Sequence, residues 1–342
     1  MAPCDRPDRL HVSRAARLAA TVYLTALVAL SVVHVLAPQR EGLIALTQIL
    51  APHLFVVGLI IGLLVVLLGR SSGAGRALRL ALLTTAIVGL ARFGPGLVSL
   101  PRPAPPPGAS IIDIVSWNLE FSGPFDTTIV STLGGSEADI VGLQELDPHD
   151  AALIASDPML ISRFPYRALH PEQGPFGSGL LSIHPIVESG WLEESNAVWA
   201  RLELGKGRQF VAVTAHPPPG RISLPFGFSP SARDAGIVEL RSALVDALLA
   251  DGERVVLFGD FNVTDREPAY ADLSRGLRDV HAEVGMGPGS TWRPGSIEWL
   301  PFGVLRIDLV FTGPGVQPLA ISADCNPGGS DHCLLRARVA VE

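Results

Sequence analysis

The sequence predicts an α/β domain carried behind three membrane-spanning segments. Three observations lead there. Residues 14–99 are almost unbroken Leu, Ala, Val, Ile and Gly; a proline-rich stretch then ends that character; and beyond it short apolar runs alternate with helical periodicity.

The apolar region reads as three segments, Leu18–Leu36, Leu43–Leu68 and Ala77–Leu100. Each has the roughly 20 residues a helix needs to cross a bilayer core. A cleaved signal peptide has one apolar run of about 7–15 residues, so three in succession do not fit one. Arg6, Arg9, Arg14 and Arg17 precede the first segment, and Arg70, Arg76 and Arg79 lie between the second and third. The other loop holds Arg40 beside Glu41. Arginine bias places the N-terminus in the cytoplasm, so that three spans leave the remainder outside the cell; Arg102 runs against this. His34, Gln48, His53 and Arg92 are polar residues within the segments. His34 and Arg92, near outer ends, are expected to snorkel to the interface, with contact to a lipid phosphate as the alternative for Arg92. His53, beside Pro52, is expected to bond to a neighbouring helix.

Residues 1–99 are therefore read as a cytoplasmic tail and a three-helix anchor, 100–110 (LPRPAPPPGAS) as a semi-rigid linker of polyproline type, and 111–342 as an extracytoplasmic domain. Apolar residues make up 48% of the chain and charged residues 17%, a skew confined to the anchor. From Ser110 onward 16 Lys and Arg face 30 Asp and Glu, a net charge of −14, while the part before carries +7. An acidic domain repels polyanions, and non-specific nucleic-acid binding needs a basic face. Nucleic acid is disfavoured as a partner, and the bilayer is the expected one.

Buried strands are expected at Ile111–Trp117, Ile140–Leu143, Gly179–Ile183, Phe210–Thr214, Val255–Phe258, Ile307–Phe311 and Cys333–Val341. Helical periodicity fits Thr127–Glu137, Asp150–Leu160 and Ser231–Ala250. Such alternation indicates an α/β class. The chemistry-bearing residues gather where these strands end. Asn118 and Glu120 close the first strand two residues apart, an amide and a carboxylate suited to a hard cation and a phosphate oxygen; strand-end turn formation is the plainer reading. Glu145 follows the second strand. His216 ends another, as a catalyst or as a structural hydrogen bonder. Gly259-Asp260-Phe261-Asn262 is a rarer pattern, with Gly259 permitting an unusual backbone. Asp308 sits in an apolar strand, where an unpaired charge is costly. Ser330-Asp331-His332 occupies a Gly-rich loop.

Taken in order, Trp117-Asn118-Leu119-Glu120, Gln144-Glu145, Ala215-His216, Gly259-Asp260-Phe261-Asn262, Arg306-Ile307-Asp308 and Ser330-Asp331-His332 resemble the endonuclease/exonuclease/phosphatase superfamily. The resemblance runs from about Ile111 to Val341. It implies a four-layer α/β sandwich and a metal-dependent phosphoric ester or anhydride hydrolase. Mg²⁺, or Mn²⁺ in its place, would be held by Glu145 and Glu120, shared with Asn118 and Asp331. Glu120 departs from the aspartate common there, which puts direct metal contact in doubt. His332 would be the general base and Asp308 its orienting partner. Asp260 and Asn262 would position water and phosphate, Asn118 would contact the phosphate, and His216 would stabilise the developing charge or protonate the leaving oxygen.

A triple span ahead of such a domain resembles membrane-anchored teicoplanin-resistance proteins. That implies a lipid-linked phosphate, undecaprenyl pyrophosphate, cleaved to undecaprenyl phosphate and phosphate in carrier-lipid recycling for the cell wall, with glycopeptide-antibiotic resistance as a consequence. The apolar loops Pro217–Phe228 and Trp292–Phe302 flank the motifs and either hold a lipid tail or pack on their own domain. A phospholipid phosphodiesterase of sphingomyelinase type, a surface nuclease and a catalytically silent phospho-ligand receptor are the alternatives. Cys325 and Cys333 bracket the Ser330–His332 loop, either as a disulfide or as two buried thiols. Cys4 is expected to be cytoplasmic, and the cysteines show no zinc-ligand spacing.

Overall fold

The computed structural model describes residues 13–69, 75–98, 103–121, 123, 126–205, 207–297, 299–326 and 329–342. Expectations about Cys4, Arg6, Arg9, Arg70 and Arg102 lie outside the described residues. The chain divides into two compact units, Met1–Pro95 with Ser223–Phe228, and Gly96–Ile222 with Ser229–Glu342.

The first unit contains helices α1 (Arg14–Leu36), α2 (Gly42–Ile49), α3 (Ala51–Leu68) and α4 (Arg76–Phe93). Ser13 caps α1, its hydroxyl accepting from Ala16 N. The predicted segment Leu43–Leu68 is not one helix. It breaks at Leu50, and α3 restarts with Pro52 in its first turn. Proline has no N–H and its ring would meet the carbonyl one turn back, so it is tolerated at a helix start and not in the interior. Among the described residues, α1 and α3 are the helices long and apolar enough to cross a membrane. The third predicted segment forms α4, 18 residues long, which Arg76, Arg79 and Arg92 make less apolar. Gly58 of α3 allows close packing, since a Cβ there would lie 2.6 Å from Leu27 Cδ1. Arg92 donates to Ser31 Oγ at 3.0 Å, and His34 Nε2 lies 3.1 Å from Thr47 Oγ1.

The second unit is built on two six-stranded mixed sheets. The first runs β13 (Val316–Asp324), β14 (Leu334–Val341), β1 (Ser110–Asn118), β2 (Ile140–Gln144), β4 (Ser178–Ser182), β3 (Tyr166–His170). The second runs β11 (Arg278–Asp279), β12 (Asp308–Thr312), β10 (Val255–Asp260), β7 (Gln209–Ala215), β6 (Ala197–Glu203), β5 (Ile186–Leu192). Each sheet repeats one pattern. A central strand, β1 or β10, has a parallel neighbour (β2 or β7) on one side and an antiparallel neighbour (β14 or β12) on the other. A short ribbon, β8 (Arg221–Ser223) and β9 (Gly227–Ser229), stands apart.

Alternation along the strands sorts side chains between layers. Ile112 and Ile114 of β1 meet Val256 and Phe258 of β10 in the core between the sheets. Val115 and Trp117 face the other way, onto α5 (Asp126–Gly134), α6 (Pro148–Ser156) and α7 (Pro158–Arg163). Val255 and Leu257 likewise face α8 (Ser231–Leu240) and α9 (Asp246–Ala250), with α10 (Pro268–Ser274) nearby. The layers are helix, sheet, sheet, helix. The predicted helix Asp150–Leu160 is two helices, because Pro158 starts a new one that Asp157 caps. The helix predicted over Ser231–Ala250 is continuous but carries a π turn at Arg241–Val245. Helix α11 (Val280–Val284) packs against β13 and β12, with Val280 and Val284 in the core between the sheets and its N-terminus capped by Asp279.

Phe258 is fully buried between the sheets. Replacing it with Ala should lower the unfolding free energy of the second unit by about 3–5 kcal/mol through lost burial and a residual cavity. Urea unfolding followed by tryptophan fluorescence reads this, and a loss below about 1 kcal/mol would contradict the packing.

Candidate active site

The same alternation that builds the core builds the site. Asn118 shares a strand face with Ile112 and Ile114, and Asp260 shares one with Val256 and Phe258, so both strands end in polar groups facing the space between the sheets. His216 continues the inter-sheet face of β7, and Asp308 opens β12. Asn118 Nδ2 donates to Glu145 Oε1 and to Asp260 Oδ2, each at 3.0 Å, and so spans the two sheets. Its Oδ1 accepts Glu120 N at 2.9 Å. Gln144 bridges the sheets one layer deeper, donating to Thr214 Oγ1 at 2.7 Å.

Four non-glycine residues among those described have left-handed backbones: Glu120 (φ 57), Glu145 (φ 56), Asn196 (φ 44) and Asn262 (φ 52). Such conformations cost energy and persist where surrounding structure enforces them. All four lie at strand ends around the site. The turns after the two central strands match. Glu120 N bonds to Asn118 Oδ1, and Asn262 N bonds to Asp260 Oδ1, each at 2.9 Å. Glu145 follows β2 on the wrong parity for the inter-sheet face. Its left-handed turn redirects it, and its carboxylate accepts Asn118 Nδ2 and Phe121 N.

His332 Nδ1 lies 2.8 Å from Asp308 Oδ2, both side chains being buried. Its Nε2 is 3.5 Å from Asp260 Oδ2 and 3.7 Å from Asp331 Oδ1. Burial resists charge on this imidazole, but Asp308, Asp260 and Asp331 outweigh it and raise its pKa to about 10. His216 Nδ1 faces Pro175 O at 3.1 Å, which assigns it the donor tautomer on that nitrogen. Its Nε2 lies 3.4 Å from Asp260 Oδ2 and 3.8 Å from Glu145 Oε1. Here too burial opposes the charge and is outweighed, chiefly by Asp260, so the pKa is raised. Asp260 is buried, yet His332 and His216 hold it down to about 2. Asp331 is pushed up by its burial, against the pull of His332 and the hydrogen bond from Trp292.

The arrangement thus presents an imidazole with an orienting carboxylate, a second imidazole primed to carry a proton, and several carboxylates at the mouth. A model of the endonuclease/exonuclease/phosphatase family matches residues 115–332, which covers every residue of this constellation. The chain belongs to that family. Family members are metal-dependent phosphoesterase hydrolases, and this chain is a metal-dependent hydrolase of phosphoric esters or anhydrides. Solved structures share the fold. An endonuclease/exonuclease/phosphatase family protein from Bacteroides thetaiotaomicron is 16% identical, with a TM-score of 0.51 over 68% of this chain and 99% of that one. The catalytic domain of human nocturnin with a bound sulfate anion is 19% identical, with a TM-score of 0.50 over 69% and 98%. A mannosyl-6-phosphatase from the same Bacteroides species is 17% identical, with a TM-score of 0.50 over 67% and 99%. No curated protein matches the sequence.

The donor set in this member of the family fits a hard divalent cation. The side chains of Glu145 and Asp331 are 16% and 21% exposed, so their carboxylates reach the mouth, whereas Asp260 and Asp308 are buried beneath. Each mouth carboxylate is already oriented by the protein, Asp331 Oδ2 accepting Trp292 Nε1 at 2.7 Å and Glu145 accepting two amides. Mg²⁺ is bound through few protein carboxylates and keeps several waters. Asp260, Asp308 and His332 also bring ligand atoms within 4.8 Å of one another. The short His332–Asp308 bond gives that pair a more specific task.

The structure brings together every site residue named from the sequence, but it reassigns some partners. Both Asn118 N–H groups are taken by carboxylates, so it orders Glu145 and Asp260 and has no donor left for phosphate. Glu120 accepts Asp331 N at 2.9 Å, tying two loops. Asn262 spends one amide hydrogen on Pro217 O at 3.0 Å. Three supports were missed in the sequence. Asn196 fixes the His216 carbonyl at 2.8 Å, Thr291 Oγ1 accepts Asp308 N at 3.3 Å, and Trp292 holds Asp331, while Ser330, named there as part of its motif, donates from Oγ to Asn118 O at 2.7 Å. Trp292 belongs to this scaffold, whereas Trp299 and Phe302 of the same loop are exposed. Cys325 and Cys333 are joined in a disulfide with Cα atoms 4.1 Å apart, bracketing the loop that carries His332.

The raised pKa of His332 has a stability consequence in EDTA-treated protein. An unfolded imidazole titrates near ~6.5, so the stabilisation is complete below that value and fades as pH climbs through about 10. The melting temperature should therefore fall across that window, and His332→Asn should flatten the slope. Parallel slopes for the two proteins would contradict the charged pair.

Proposed function

We propose that the protein hydrolyses a lipid-linked phosphate at the outer face of a membrane, with undecaprenyl pyrophosphate, cleaved to undecaprenyl phosphate and phosphate, as the best-fitting substrate. One observation carries the lipid reading. The loop leading to Asp308 exposes Trp299 and Phe302 at 78% and 58%, and Ile222, in the chain that follows His216, is 63% exposed. Exposed apolar side chains on segments joined to a polar site suit an acyl or isoprenoid chain. Two apolar helices near the N-terminus support tethering, and the arginine pattern supports an outward-facing domain, with α4 as a third span. The likeness of this arrangement to membrane-anchored teicoplanin-resistance proteins supports the carrier-lipid substrate and a role in antibiotic resistance.

In the mechanism, Glu145 and Asp331, backed by Glu120, would hold Mg²⁺. The cation would polarise the phosphoryl oxygen and balance growing negative charge. His332 keeps its Nδ1 proton in a hydrogen bond to Asp308; it acts as a base in its neutral form, which the charge of the cation would favour by offsetting the carboxylates that raise its pKa, and Nε2 then takes a proton from the attacking water. Asp260 lies beside that nitrogen and helps orient the water. The remaining amide hydrogen of Asn262 is available to a phosphate oxygen. His216, fixed through Nδ1 by the Pro175 carbonyl, carries its second proton on Nε2 and delivers it to the leaving oxygen. Net negative charge over the domain makes DNA the poorer substrate.

Purified full-length protein in detergent should release phosphate from undecaprenyl pyrophosphate in Mg²⁺ and stop in EDTA. Sphingomyelin or plasmid DNA turning over faster would overturn the substrate reading. His332→Ala should lower the rate by about 10²–10⁴-fold, the usual worth of a general base, with circular dichroism unchanged. The double substitution Trp299→Ser and Phe302→Ser should reduce turnover of the lipid by about tenfold or more, given the worth of burying such side chains. It should leave a water-soluble aryl phosphate ester unaffected. Equal losses on both substrates would sink the lipid role of this loop.

A further inference from the structure

A buried arginine with no part in the chemistry above grips the loop that carries His332. Arg293 is 3% exposed. Its Nη2 donates to the Ser330 carbonyl at 2.8 Å, and its Nη1 donates to the Leu300 carbonyl at 2.9 Å. Its backbone N–H donates to the Asp331 carbonyl at 2.9 Å. One residue therefore holds two successive carbonyls of the Ser330-Asp331-His332 segment.

The other restraints on this segment do not replace that hold. Trp292 faces His332 across an isolated antiparallel bridge, flanked by the Arg293 N–H bond and by Cys333 N donating to Thr291 O at 2.8 Å. The bridge fixes main-chain spacing at His332 but does not reach Ser330. The Ser330 hydroxyl is already engaged, donating to Asn118 O at 2.7 Å and accepting His332 N at 3.0 Å. Ahead of it the sequence reads Gly328-Gly329, and Gly329 has φ 77. Glycine restrains the backbone least. Among the described residues, the guanidinium is the donor to the buried Ser330 carbonyl. On the other side of the same peptide plane, Asp331 N donates to Glu120 Oε2 at 2.9 Å. Arg293 and Glu120 thus clamp one peptide group from its two polar ends.

We propose that Arg293 is a positioning residue for hydrolysis. By fixing the Ser330–Asp331 peptide it sets the angle at which Asp331 and His332 enter the site. An arginine suits the task because its donors form a rigid planar fork that meets two carbonyls of different loops at once. The Leu300 end anchors the fork, and the Ser330 end directs the catalytic loop. Proton transfer demands close geometry, so a small tilt of this peptide is costly to the chemical step. The role holds for any phosphoric ester and is independent of the lipid reading.

Full-length protein in detergent with Mg²⁺ and a water-soluble aryl phosphate ester tests this. Arg293→Met keeps the apolar stem and removes the donors. It should lower kcat by roughly tenfold to a hundredfold, the scale of a misplacement of about 1 Å, with KM unchanged. Arg293→Lys keeps the charge but reaches one carbonyl at a time, and should recover part of kcat. Two controls separate positioning from general stability. Leu160 of α7 is buried in the helix-facing core of the first sheet, and Leu160→Ala should lower the melting temperature without lowering kcat per folded protein. Trp299→Ser with Phe302→Ser should leave kcat on this ester unchanged, which assigns the effect to the Ser330 end of the fork. An Arg293→Met protein with a lower melting temperature and the unmodified kcat would overturn the proposal and make Arg293 a packing residue. A rise in KM in place of the fall in kcat would overturn it too. Should Arg293→Met fail to fold, Arg293→Lys decides alone, and a kcat equal to that of the unmodified protein overturns the role.

Discussion

The hydrogen bonds from the Asn118 amide to Glu145 and Asp260 hold the rest of the site in place. They are the link between the ends of the two central strands, one from each sheet. Without them Glu145 and Asp260 would be left with only the more distant His216 Nε2 between them, a costly arrangement. With them, Glu145 is turned toward the mouth, Asp260 toward the histidines, and the two sheets are fixed in one relative position. The His332–Asp308 pair and His216 then fall within reach of the same Asp260 oxygen. A neutral amide is well suited to the task, because its two N–H groups satisfy two carboxylates without adding charge.

The likeness between the sheets explains why the pieces meet. In each, a central strand ends in a side-chain acceptor that binds the amide two residues on, and that later residue is left-handed. Asn118 with Glu120 and Asp260 with Asn262 are the same turn built from different chemistry. The pattern of strand directions repeats too, although the chain threads the two sheets by different paths. Exchange of one acceptor from amide to carboxylate makes the two turns attractive to each other, where two carboxylates would repel.

Much of this was legible in the residues. The strands buried on both faces, such as β2 and β10, announced themselves as apolar runs, and the six short motifs marked their ends. The outer strands were missed for a physical reason. β3, β5, β6 and β13 are partly exposed and carry Arg167, Glu188, Arg201 and Gln317 on their wet faces, so their apolar content is diluted below what a run reveals. The break between α2 and α3 was signalled by Pro52 but overridden by uniform apolarity. Site residues that act through side chains at strand ends were found, whereas supports such as Asn196, Thr291 and the Pro175 carbonyl were not. Their contribution depends on which distant segment folds against them, and nothing local encodes it. No internal repeat is visible in the sequence, because the shared pattern lies in strand direction and turn geometry.

The division of the constellation across the sheets has a consequence for how the molecule comes into being. Asn118 and Glu145 come from the first sheet, with Asp331 and His332 leading into it, while His216, Asp260, Asn262 and Asp308 come from the second. Neither half holds both a metal-binding mouth and a complete base. A chain in which one sheet has formed and the other has not is therefore chemically inert, however native its finished half. Hydrolysis switches on at the last docking event, and the first turnover reports that assembly is finished.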